Sequence, residues 1–540
     1  MNQLPQIHLC IQQPDGYVHS LGLVDPARYY RYQFRRLGAR VTVAKNRLRH
    51  DAVNFVFGAH LGFEAGLCER HACIFVNLEQ LGQGGAQVGA DYLKLLSASA
   101  VVDYNADNRA AYAVRPAEVP VAPLLYAPYL KPAQGIPLEE RPIDLLFFGS
   151  MNERRRAWLN RIEALGHTVA TFDAPLYGAE RDQFIRQAKS VVNSHFYETS
   201  RFEQARVAHC LSLGTPVIAE RTPQTQPHPA FENCVLWLQG DELEQFFSQD
   251  FGTPAYFDLA RSALSAFERS DPIEAYGELL AFATGYLRTH HDRHPAQVWR
   301  PQVINVGSAH GYRAGCLNVD TVEAAQPDLL LDFTQPLDLP LEQVLATLGP
   351  IALTEGRVSA ICVHAEPMSG GQLRQLLTNS LRLLQVGGLF QMDMRSTWTI
   401  AGTLGPTARW HLDERTWTEL ANRFWELGRW ADRFVVHQFS YLGIDLQVCP
   451  AEQAVVTRVV LRKADTSLRE SNTAQALLAA LWLPDDAVDA QPQDHPRPAE
   501  PVRVASCVPV PVHAPAAAQV ATRAQPVGRT CWERQTAMAD

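Results

Sequence analysis

Short apolar runs recur along most of this 540-residue chain, and stretches with helical spacing separate them. In the first part of the chain, the runs with strand character are residues 7–11, 41–44, 52–57, 73–78 and 100–104. Further on, they are residues 143–148, 168–172, 190–193, 216–219, 303–307, 317–320, 329–332, 358–363 and 389–394. A chain that alternates strands with helices folds into parallel sheets whose faces are covered by the helices. The sequence therefore predicts an α/β fold.

The alternation divides the folded part of the chain into three segments. Residues 1–140 and 141–300 are each predicted to form a Rossmann-like domain. Helical residues 258–288 close the second of these domains and are expected to fold back across both. Residues 301–470 are predicted to form a third α/β domain.

The end of the third segment and the tail have a different character. Residues 444–449 and 454–462 are predicted to pair as antiparallel strands. From about residue 485 onward, proline and alanine dominate the sequence. Such a composition buries too little apolar surface to offset the chain entropy, so residues 485–540 are predicted to be disordered.

Composition narrows the class of protein. The chain has 48 Lys and Arg against 57 Asp and Glu, a formal charge of −9, which argues against a general nucleic-acid partner. No apolar run approaches the ~20 residues of a membrane span, so we expect no transmembrane segment. The first residues lack a basic region followed by an apolar run, and the ten cysteines form no Cys-x-x-Cys pair. We therefore expect a cytoplasmic protein without a disulfide framework or a zinc site.

The most informative stretch is residues 193–220, in which a strand end leads through a polar loop into a helix. Gly214 is expected to end that helix, and Pro216 prevents its continuation. The beginning of the helix then lies at the carboxyl edge of a parallel sheet, where α/β folds bind ligands. Free N–H groups there favour a phosphate, and Arg201 and Arg206 add charge-assisted donors.

This stretch resembles the donor-binding domain of GT-B glycosyltransferases of the group-1-like branch. The matching positions are Asn193, His195, Tyr197, Glu203, Arg206, Gly214, Pro216 and Glu220. The opening strand and loop of the same domain match at Gly149, Ser150, Asn152, Arg154 and Arg155. One position departs from the pattern, because many retaining members carry a glutamate where this chain has His209. The stereochemical outcome therefore stays open.

The resemblance implies a metal-independent enzyme that needs no cofactor for glycosyl transfer and uses a nucleotide diphosphate sugar as donor. The residues that it implies for donor binding are Gly149, Ser150, Asn152, Arg154, Arg155, Tyr197, Glu203, Arg206 and Glu220. Arg154, Arg155 and Arg206 are expected near the diphosphate, and Glu203 or Glu220 near the ribose or base. Glu79 is the first candidate for a general base and His195 the second.

Each of these residues also has a purely structural interpretation. Residues 154–156, all arginines, are also typical of a solvated helix face. Glu203 and Arg206 have the i, i+3 spacing of an ordinary ion pair on a helix surface. Glu79 suits a cap, and His195 suits a hydrogen-bonded core histidine. The sequence leaves both interpretations open.

Residues 302–462 resemble a class I S-adenosylmethionine-dependent methyltransferase. In that family a glycine turn approaches the methionine and an acid after the second strand binds the ribose, which implies roles for Gly307 and Asp320. The second glycine of the family turn is replaced by Ala309. A side chain there crowds the cofactor, so a degenerate domain that serves packing, oligomerisation or acceptor binding is the favoured interpretation.

The function predicted from these resemblances is transfer of a sugar to a glycan or protein acceptor such as flagellin, as a step of glycan biosynthesis. Two alternatives stay open: a bifunctional glycosyltransferase and methyltransferase with S-adenosylmethionine as cofactor, and a non-catalytic scaffold. A homo-oligomer also stays open.

Overall fold

The structure, a computed structural model, describes residues 4–14, 17–82, 85–172, 174–365, 368–395, 417 and 434–464. The predicted disordered tail, residues 485–540, lies outside these described residues. The described chain separates into two compact units between Pro295 and Ala296.

The first unit begins with a parallel five-stranded sheet in the order β2-β1-β3-β4-β5. Its strands are β1 Ile7–Ile11, β2 Val41–Lys45, β3 Val53–Phe57, β4 Cys73–Asn77 and β5 Ala100–Asp103. Its two α-helices are α1 Val24–Arg36 and α2 Ala90–Ala98. Every residue of β1, β3 and β4 is buried, which explains why these strands are continuous apolar runs in the sequence.

A second parallel sheet follows in the order β10-β9-β8-β6-β7. Its strands are β6 Ile143–Leu146, β7 Val169–Ala170, β8 Ala188–Asn193, β9 Val217–Glu220 and β10 Leu236–Leu238. Its helices are α3 Glu153–Glu163, α4 Gly178–Gln187, α5 Gln204–Ser212, α6 Leu243–Gln245, α7 Pro254–Phe267 and α8 Ile273–Arg293. β10 was not predicted from the sequence. Residues 258–288 were predicted as one helical stretch, whereas Pro272 lies between α7 and α8 in the structure.

The last helix, α8, returns to the first sheet and packs against α1 and β3. Its Tyr276 is fully buried among Tyr29, Tyr30 and Phe34, with ring centroids 5.1 to 5.9 Å apart. The first unit thus has two successive Rossmann-like sheets and a helix that joins the second back to the first. This confirms the predicted α/β fold class with two successive Rossmann-like domains.

Both sheets have the same doubly wound order: the second strand in sequence lies on one side of the first strand, and the third, fourth and fifth strands lie on the other side. The switch between the two sides lies between β1 and β3 in the first sheet and between β6 and β8 in the second. Ligands of such folds bind outside the carboxyl ends of the strands at this switch. The topology therefore marks one edge of each sheet as a ligand edge.

Polar contacts hold the two sheets together near these edges. Arg201, in the loop after β8, donates its backbone N–H to Gln80 Oε1 at 2.7 Å and its guanidinium to the Leu81 carbonyl at 3.0 Å and to Asn108 Oδ1. Arg181 of α4 pairs with Asp25 of α1 at 2.9 Å. These contacts join loops and helices of the two sheets within the first unit.

The second unit contains a seven-stranded sheet in the order β13-β12-β11-β16-β17-β19-β18. The elements of this unit are β11 Val303–Val306, β12 Leu317–Asp320, β13 Leu329–Leu330, β14 Leu341–Leu345, β15 Gly349–Leu353, β16 Val358–Ala365, α9 Gly370–Leu383, β17 Leu384–Arg395, β18 Phe434–Leu442 and β19 Val456–Lys463. Only β19 runs against its neighbours β17 and β18. This is the strand order of the class I methyltransferases, as the resemblance implied for the fold.

Two details of this unit differ from the sequence analysis. The hairpin of β14 and β15 was missed. The predicted strand 444–449 is wrong, because this segment forms the turn region that joins β18 to β19. Ile444 and Val448 are exposed there, so their apolar character reflects no buried strand.

Within the described residues, no helix combines the length and the apolar character that crossing a membrane requires.

Two histidines of the first sheet are buried in the neutral form. His8 in β1 and His71 just before β4 are each only 3% exposed. Burial lowers the pKa of His8 to about 4 and the pKa of His71 to about 3. Both rings must therefore take up protons on unfolding at any pH between these values and the ordinary histidine pKa of about 6.5.

We predict that acid destabilises the first unit for this reason. In this pH range the unfolded chain binds more protons than the folded one. The contribution of the two neutral histidines to the free energy of unfolding is therefore fully present above about pH 6.5 and falls as the pH drops. The loss for each histidine approaches roughly 1.4 kcal/mol per pH unit. Thermal unfolding of the full chain between pH 7 and pH 4.5 measures it, and His71→Gln should make the fall shallower. An equal slope in this variant would contradict the assignment to His71.

Candidate functional site

A cavity of about 650 Å³ opens at the carboxyl edge of the second sheet. It is lined by Gly22, Asp25, Pro26, Phe147, Phe148, Gly149, Met151, Arg156, Thr171, Phe172, Pro175, Leu176, Tyr177, Arg181, Ala205, Arg206 and His209. The lining comes from the segments after β6 and β7, from the first turns of α5 and from the start of α1. The cavity therefore lies at the ligand edge that the topology marks.

Arg206 is the basic side chain of the predicted donor site that faces this cavity. Its Nη1 donates to Asn193 Oδ1 at 3.3 Å, and its guanidinium lies 5.7 Å from the centre of the Phe148 ring. No carboxylate among the described residues forms an ion pair with it. Gly149 makes room for this group, because a Cβ at Gly149 would lie 2.8 Å from Arg206 Nη2. The backbone φ of Gly149 is 129°, which also favours glycine.

Further donors surround Arg206. Arg156 is exposed and lines the cavity. The helices α4 and α5 both begin at the cavity, and no side chain of the described residues caps either start. Uncapped N–H groups at a helix start attract anions. The basic part of the cavity thus suits a ligand with more than one negative charge.

The other wall is aromatic. Phe148 and Phe172 stack with ring centroids 6.1 Å apart and an angle of 29° between the planes. Tyr177 completes this wall, and its hydroxyl lies 2.7 Å from His19 Nδ1. Aromatic faces next to guanidinium groups suit a planar base attached to phosphates.

Four ionisable side chains form a cluster at the cavity. Arg181 contacts Asp25 Oδ2 at 2.9 Å and Asp182 Oδ1 at 2.6 Å, and His209 Nε2 lies 2.7 Å from Asp182 Oδ1. Burial raises the pKa of Asp182, but His209 and Arg181 outweigh it and lower that pKa to about 2. His209, which occupies the position of the glutamate in many retaining enzymes, is therefore tied to a permanent carboxylate.

Arg155 lies beneath the cavity instead of in it. Its side chain is 2% exposed, and it donates to the Ser194 carbonyl at 3.0 Å, to the Ser150 carbonyl at 2.7 Å and to Glu203 Oε1 at 3.2 Å. Burial, followed by the charge of Arg206, lowers the pKa of Arg155 to about 9. The expectation that Arg155 contacts a diphosphate is corrected, because its donors are used within the protein.

Glu203 and His195 form the core of the same network. Glu203 Oε2 accepts from Asn193 Nδ2 at 3.0 Å and lies 3.1 Å from His195 Nδ1. His195 is fully buried, and its Nε2 lies 3.0 Å from Thr225 Oγ1. Burial raises the pKa of Glu203, but His195, Arg206 and Arg155 outweigh it and hold that pKa well below its usual range. The expectation of His195 as a base is corrected, since neither ring nitrogen is accessible.

Arg154 and Glu220 are also paired within the protein. Arg154 binds both carboxylate oxygens of Glu220, at 2.8 and 2.6 Å, and donates to the His195 carbonyl at 2.9 Å. Glu220 Oε2 accepts in addition from Ser194 Oγ and from the His195 backbone N–H. Arg154, Glu203 and Glu220 thus have partners within the protein and hold the loop after β8, and their implied contacts with the donor stay predictions.

The remaining predicted donor residues shape the loops. Asn152 caps α3 by accepting from the Arg155 backbone N–H at 2.9 Å and donates to the Phe196 carbonyl at 2.7 Å. Tyr197 exchanges hydrogen bonds with Ser200 through its backbone, and neither Asn152 nor Tyr197 lines the cavity. Ser150 contributes its carbonyl to Arg155. Of the predicted donor residues, Gly149 and Arg206 therefore face the cavity.

Glu79 lies at the other ligand edge, two residues after β4. Its carboxylate is 34% exposed and lies 3.8 Å from His60 Nε2, in the segment after β3. Neither residue belongs to the cavity of the second sheet.

Several residues of the cavity lining were not predicted from the sequence. They are Arg156, Phe172, Tyr177 and Arg181. A signal for Phe172 and Tyr177 was present, because they follow a predicted strand end at the same edge as Gly149. Nothing local distinguishes Arg156 from its two neighbours.

In the second unit, the residues that the methyltransferase resemblance implied for S-adenosylmethionine have contacts within the protein. Residues 307–316 join β11 to β12 through a short 3₁₀ turn instead of an α-helix. A Cβ at Gly307 would lie 2.7 Å from the His364 carbonyl oxygen, so the approach of β16 explains this glycine without a ligand.

Both carboxylate oxygens of Asp320 accept hydrogen bonds from backbone N–H groups. Its Oδ2 accepts from the Ala309 backbone N–H at 2.9 Å and its Oδ1 from the Val322 backbone N–H at 3.0 Å. Asn318 holds the same loop by accepting from the Arg313 backbone N–H and donating to its carbonyl, both at 2.8 Å. These contacts account for Gly307 and Asp320 without a ligand, and the implied roles of the two residues toward S-adenosylmethionine stay predictions.

No group of three or more histidine, cysteine, aspartate or glutamate side chains in the described parts of the chain is arranged to hold a metal ion.

The chain matches no protein-family model and no curated protein. Among solved structures it is similar to Anabaena Alr3699/HepE in complex with UDP and glucose, with 12% identity over 52% of this chain and 100% of that chain and a TM-score of 0.35. It is also similar to AviGT4, a glycosyltransferase involved in avilamycin A biosynthesis, with 12% identity, 53% and 99% coverage and a TM-score of 0.36.

A third similarity concerns a smaller part of the chain. The 16S rRNA (adenine(1408)-N(1))-methyltransferase from Catenulisporales acidiphilia shares 13% identity over 31% of this chain and 88% of that chain, with a TM-score of 0.20. Similarities of this size carry no argument about activity, so the function must be argued from the cavity itself.

We predict that Arg155 contributes to folding and not to ligand contact. Replacing it by Met leaves Glu203 with His195 and Arg206 but without the Arg155 guanidinium, and it leaves the carbonyls of Ser150 and Ser194 without their donor. Loss of one partner of a buried pair costs about 3–5 kcal/mol. Chemical denaturation of the full chain measures this loss. Arg156→Met on the same helix is the control and should change stability by less than about 0.5 kcal/mol. Equal effects of the two substitutions would contradict the buried role.

We also predict that the second unit binds no S-adenosylmethionine. Isothermal titration of the full chain with S-adenosylmethionine and S-adenosylhomocysteine should give no heat of binding up to millimolar ligand. Binding in the micromolar range would show that the loop 307–316 rearranges, and would restore the bifunctional alternative.

Proposed function

We propose that the first unit is a glycosyltransferase that uses a nucleoside diphosphate sugar as donor. The observation that carries this proposal is the guanidinium group of Arg206, which faces a 650 Å³ cavity without a carboxylate partner among the described residues. A half-buried cation that makes no ion-pair contact with a described carboxylate keeps donors available for an anionic ligand.

The size and position of the cavity agree with such a donor. Pockets for small ligands have volumes of roughly 300–1,000 Å³. The starts of α4 and α5 supply N–H groups and the positive ends of two helix dipoles, which suit phosphate oxygens. We infer that the diphosphate binds on the cavity side of the Arg206 guanidinium, which packs against Gly149, and that Arg156 contacts it from the exposed edge of the cavity.

The aromatic wall suits the other end of the donor. Phe148 and Phe172 present ring surface beside the basic groups, and we infer that the nucleobase packs there. The sugar then extends toward the first sheet, because Gly22 and Asp25 of that domain close the cavity on its far side.

The chemistry that this arrangement supplies is stabilisation of a leaving group. When the bond between the sugar and the diphosphate breaks, negative charge develops on the diphosphate oxygen. Fixed guanidinium groups and helix N–H groups stabilise that charge without reorganisation. We therefore propose a transfer reaction in which these groups do the work that a metal ion does in other transferases.

Nucleotide binding tests the proposal. Isothermal titration of the full chain with UDP, GDP, ADP and CDP should identify at least one ligand with micromolar affinity. Arg206→Ala should lower the binding affinity for that ligand by roughly 10- to 150-fold, because a charge-assisted hydrogen bond contributes about 1.5–3 kcal/mol. Arg161→Ala, which removes a surface arginine of α3 paired with Glu244, is the matched control and should bind normally. Failure of every diphosphate to bind would contradict the proposal.

Gly149→Ala provides a second, independent variant in the same titration. The new Cβ must displace the end of the Arg206 side chain, which lies 2.8 Å from its position. We expect several-fold weaker nucleotide binding in a protein that still folds. Binding equal to that of the unmodified chain would contradict the inferred contact between the diphosphate and the Arg206 guanidinium in its position against Gly149.

A further inference from the structure

The segment just after β4, residues 79–81, is held in place by side-chain amides of the first sheet. The Glu79 carbonyl accepts from Asn77 Nδ2 at 2.9 Å and from Asn108 Nδ2 at 3.0 Å. The Leu81 backbone N–H donates to Asn108 Oδ1 at 2.8 Å. Leu81 and Asn108 are both buried, so water does not compete for this hydrogen bond. The backbone of the segment therefore has a fixed position.

A buried carboxylate sets the direction of the Asn108 amide. Asp103 is fully buried at the end of β5, and its Oδ1 accepts from Asn108 Nδ2 at 2.8 Å. Because the nitrogen of that amide faces the carboxylate, its oxygen faces the opposite way. This oxygen accepts from the Leu81 N–H and from the guanidinium of Arg201, which lies in the loop after β8. Asn108 thus links a buried carboxylate of the first sheet to a cation that follows a strand of the second sheet.

The Gln80 side chain contacts the same loop with both ends of its carboxamide. Its Oε1 accepts from the Arg201 backbone N–H at 2.7 Å, and its Nε2 donates to the Thr199 carbonyl at 3.0 Å. A C=O and an N–H two residues apart are the groups with which a neighbouring parallel strand would pair. Gln80 therefore fixes the backbone of residues 199–201 as a strand partner would.

Arg201 is bonded through its side chain and through both of its backbone polar groups. Its Nη2 donates to the Leu81 carbonyl at 3.0 Å and to Asn108 Oδ1. Its own carbonyl accepts from the Gln226 backbone N–H at 3.0 Å, in the segment after β9. These contacts fix the loop after β8 to the segment after β4 and to the segment after β9.

The fixed loop leads directly into the groups that are proposed to bind the donor. Two residues separate Arg201 from Gln204, the first residue of α5. Gln204 is buried and donates its Nε2 to the Leu124 carbonyl, in the segment between β5 and β6, at 3.2 Å. Arg206 lies in the first turn of this helix. The position of the helix start and of Arg206 therefore depends on contacts from the domain of the first sheet.

From these contacts we propose that Gln80 and Arg201 are positioning residues of the donor site. They hold the loop after β8 in the conformation in which the start of α5 and Arg206 receive a nucleoside diphosphate. Like the donor site itself, this role rests on the proposed function of the first unit. Neither Gln80 nor Arg201 is among the residues that line the cavity, so both act through the loop and not through contact with the donor.

The physical reason is that a ligand which binds one conformation loses affinity as other conformations become populated. The apparent dissociation constant rises by the inverse of the fraction of molecules in the binding-competent conformation. Hydrogen bonds to a loop raise this fraction, because they restrict backbone freedom that the loop would otherwise have. Loss of the contacts at Gln80 should therefore weaken donor binding without removing any group that touches the donor.

Isothermal titration of the full chain with the tightest-binding of UDP, GDP, ADP and CDP tests the role of Gln80. Gln80→Met keeps the length of the side chain but removes both hydrogen bonds to the loop. The affinity should fall by roughly 5- to 50-fold, as expected when two hydrogen bonds no longer favour the competent conformation. Gln375→Met is the matched control, since Gln375 is a half-buried glutamine that donates to Asn379 within α9 at 3.1 Å. The affinity of the control should equal that of the unmodified chain.

Arg201→Met tests the second positioning residue in the same titration. It removes the contacts with Leu81 and Asn108, and the affinity should fall by roughly 3- to 30-fold for the same reason. The variant that combines Gln80→Met with Arg201→Met should lose less than the product of the two single losses, because both residues act on one loop. A full product of the two losses would show that Arg201 contacts the diphosphate directly and would overturn its positioning role.

Hydrogen exchange distinguishes a positioning role from a merely structural one. In Gln80→Met the amides of residues 199–204 should exchange faster than in the unmodified chain. Saturating nucleoside diphosphate should slow them again, because the ligand selects the fixed loop. A merely structural role would lower the melting temperature and leave the affinity of the folded chain unchanged, and the ligand would have no effect on exchange in this loop.

The outcomes separate this role from the donor site. If Gln80→Met and Gln375→Met bind the diphosphate with equal affinity, the role of Gln80 is overturned and the proposed donor site stands. If no diphosphate binds to the unmodified chain, the proposed function falls and the role of Gln80 falls with it. Should Gln80→Met fail to fold, titration and hydrogen exchange of Arg201→Met decide the same question.

Discussion

The buried charge of Arg155 is the constraint on which the proposed donor site depends. A guanidinium in the protein interior requires a partner for its donors, and Arg155 obtains them from Glu203 and from the carbonyls of Ser150 and Ser194. These contacts bind the loop after β6 to the loop after β8. With both loops fixed, Glu203 is committed to His195 and Asn193, and Arg206 is left to face the cavity.

The same constraint explains how far the sequence could identify the site. The strand ends and the helix starts follow from apolar runs and stop signals, so Gly149 and Arg206 were found at the correct edge. Arg154, Arg155 and Arg156 are consecutive on one helix and differ only in direction, by about 100° per residue. Their roles are set by Glu203 and Glu220, which are 48 and 66 residues away in the chain. No local pattern contains that information.

The second unit shows the same division between fold and site. Its strand order follows from which strands are buried, and the runs at β11, β12, β16 and β17 predicted the sheet. Two predictions failed in this unit. The hairpin of β14 and β15 was not predicted, and residues 444–449 were predicted as a strand although their apolar side chains lie at the surface. The cofactor edge depends instead on single contacts, such as that of Asp320 with the Ala309 backbone. The pattern of apolar runs therefore predicts the sheet, but it does not contain these single contacts.

In the first unit, two sheets of identical order carry opposite charges at their ligand edges. The edge of the second sheet presents Arg206 and Arg156, and the edge of the first presents Glu79 with its carboxylate partly exposed. The carboxylates that share the second edge with the arginines, Asp182, Glu203 and Glu220, are paired with neighbouring cations, as Glu220 is with Arg154. Arg206 and Arg156 are in no such ion pair among the described residues, so in the proposed reaction they are the groups available for the charge that develops on the leaving diphosphate.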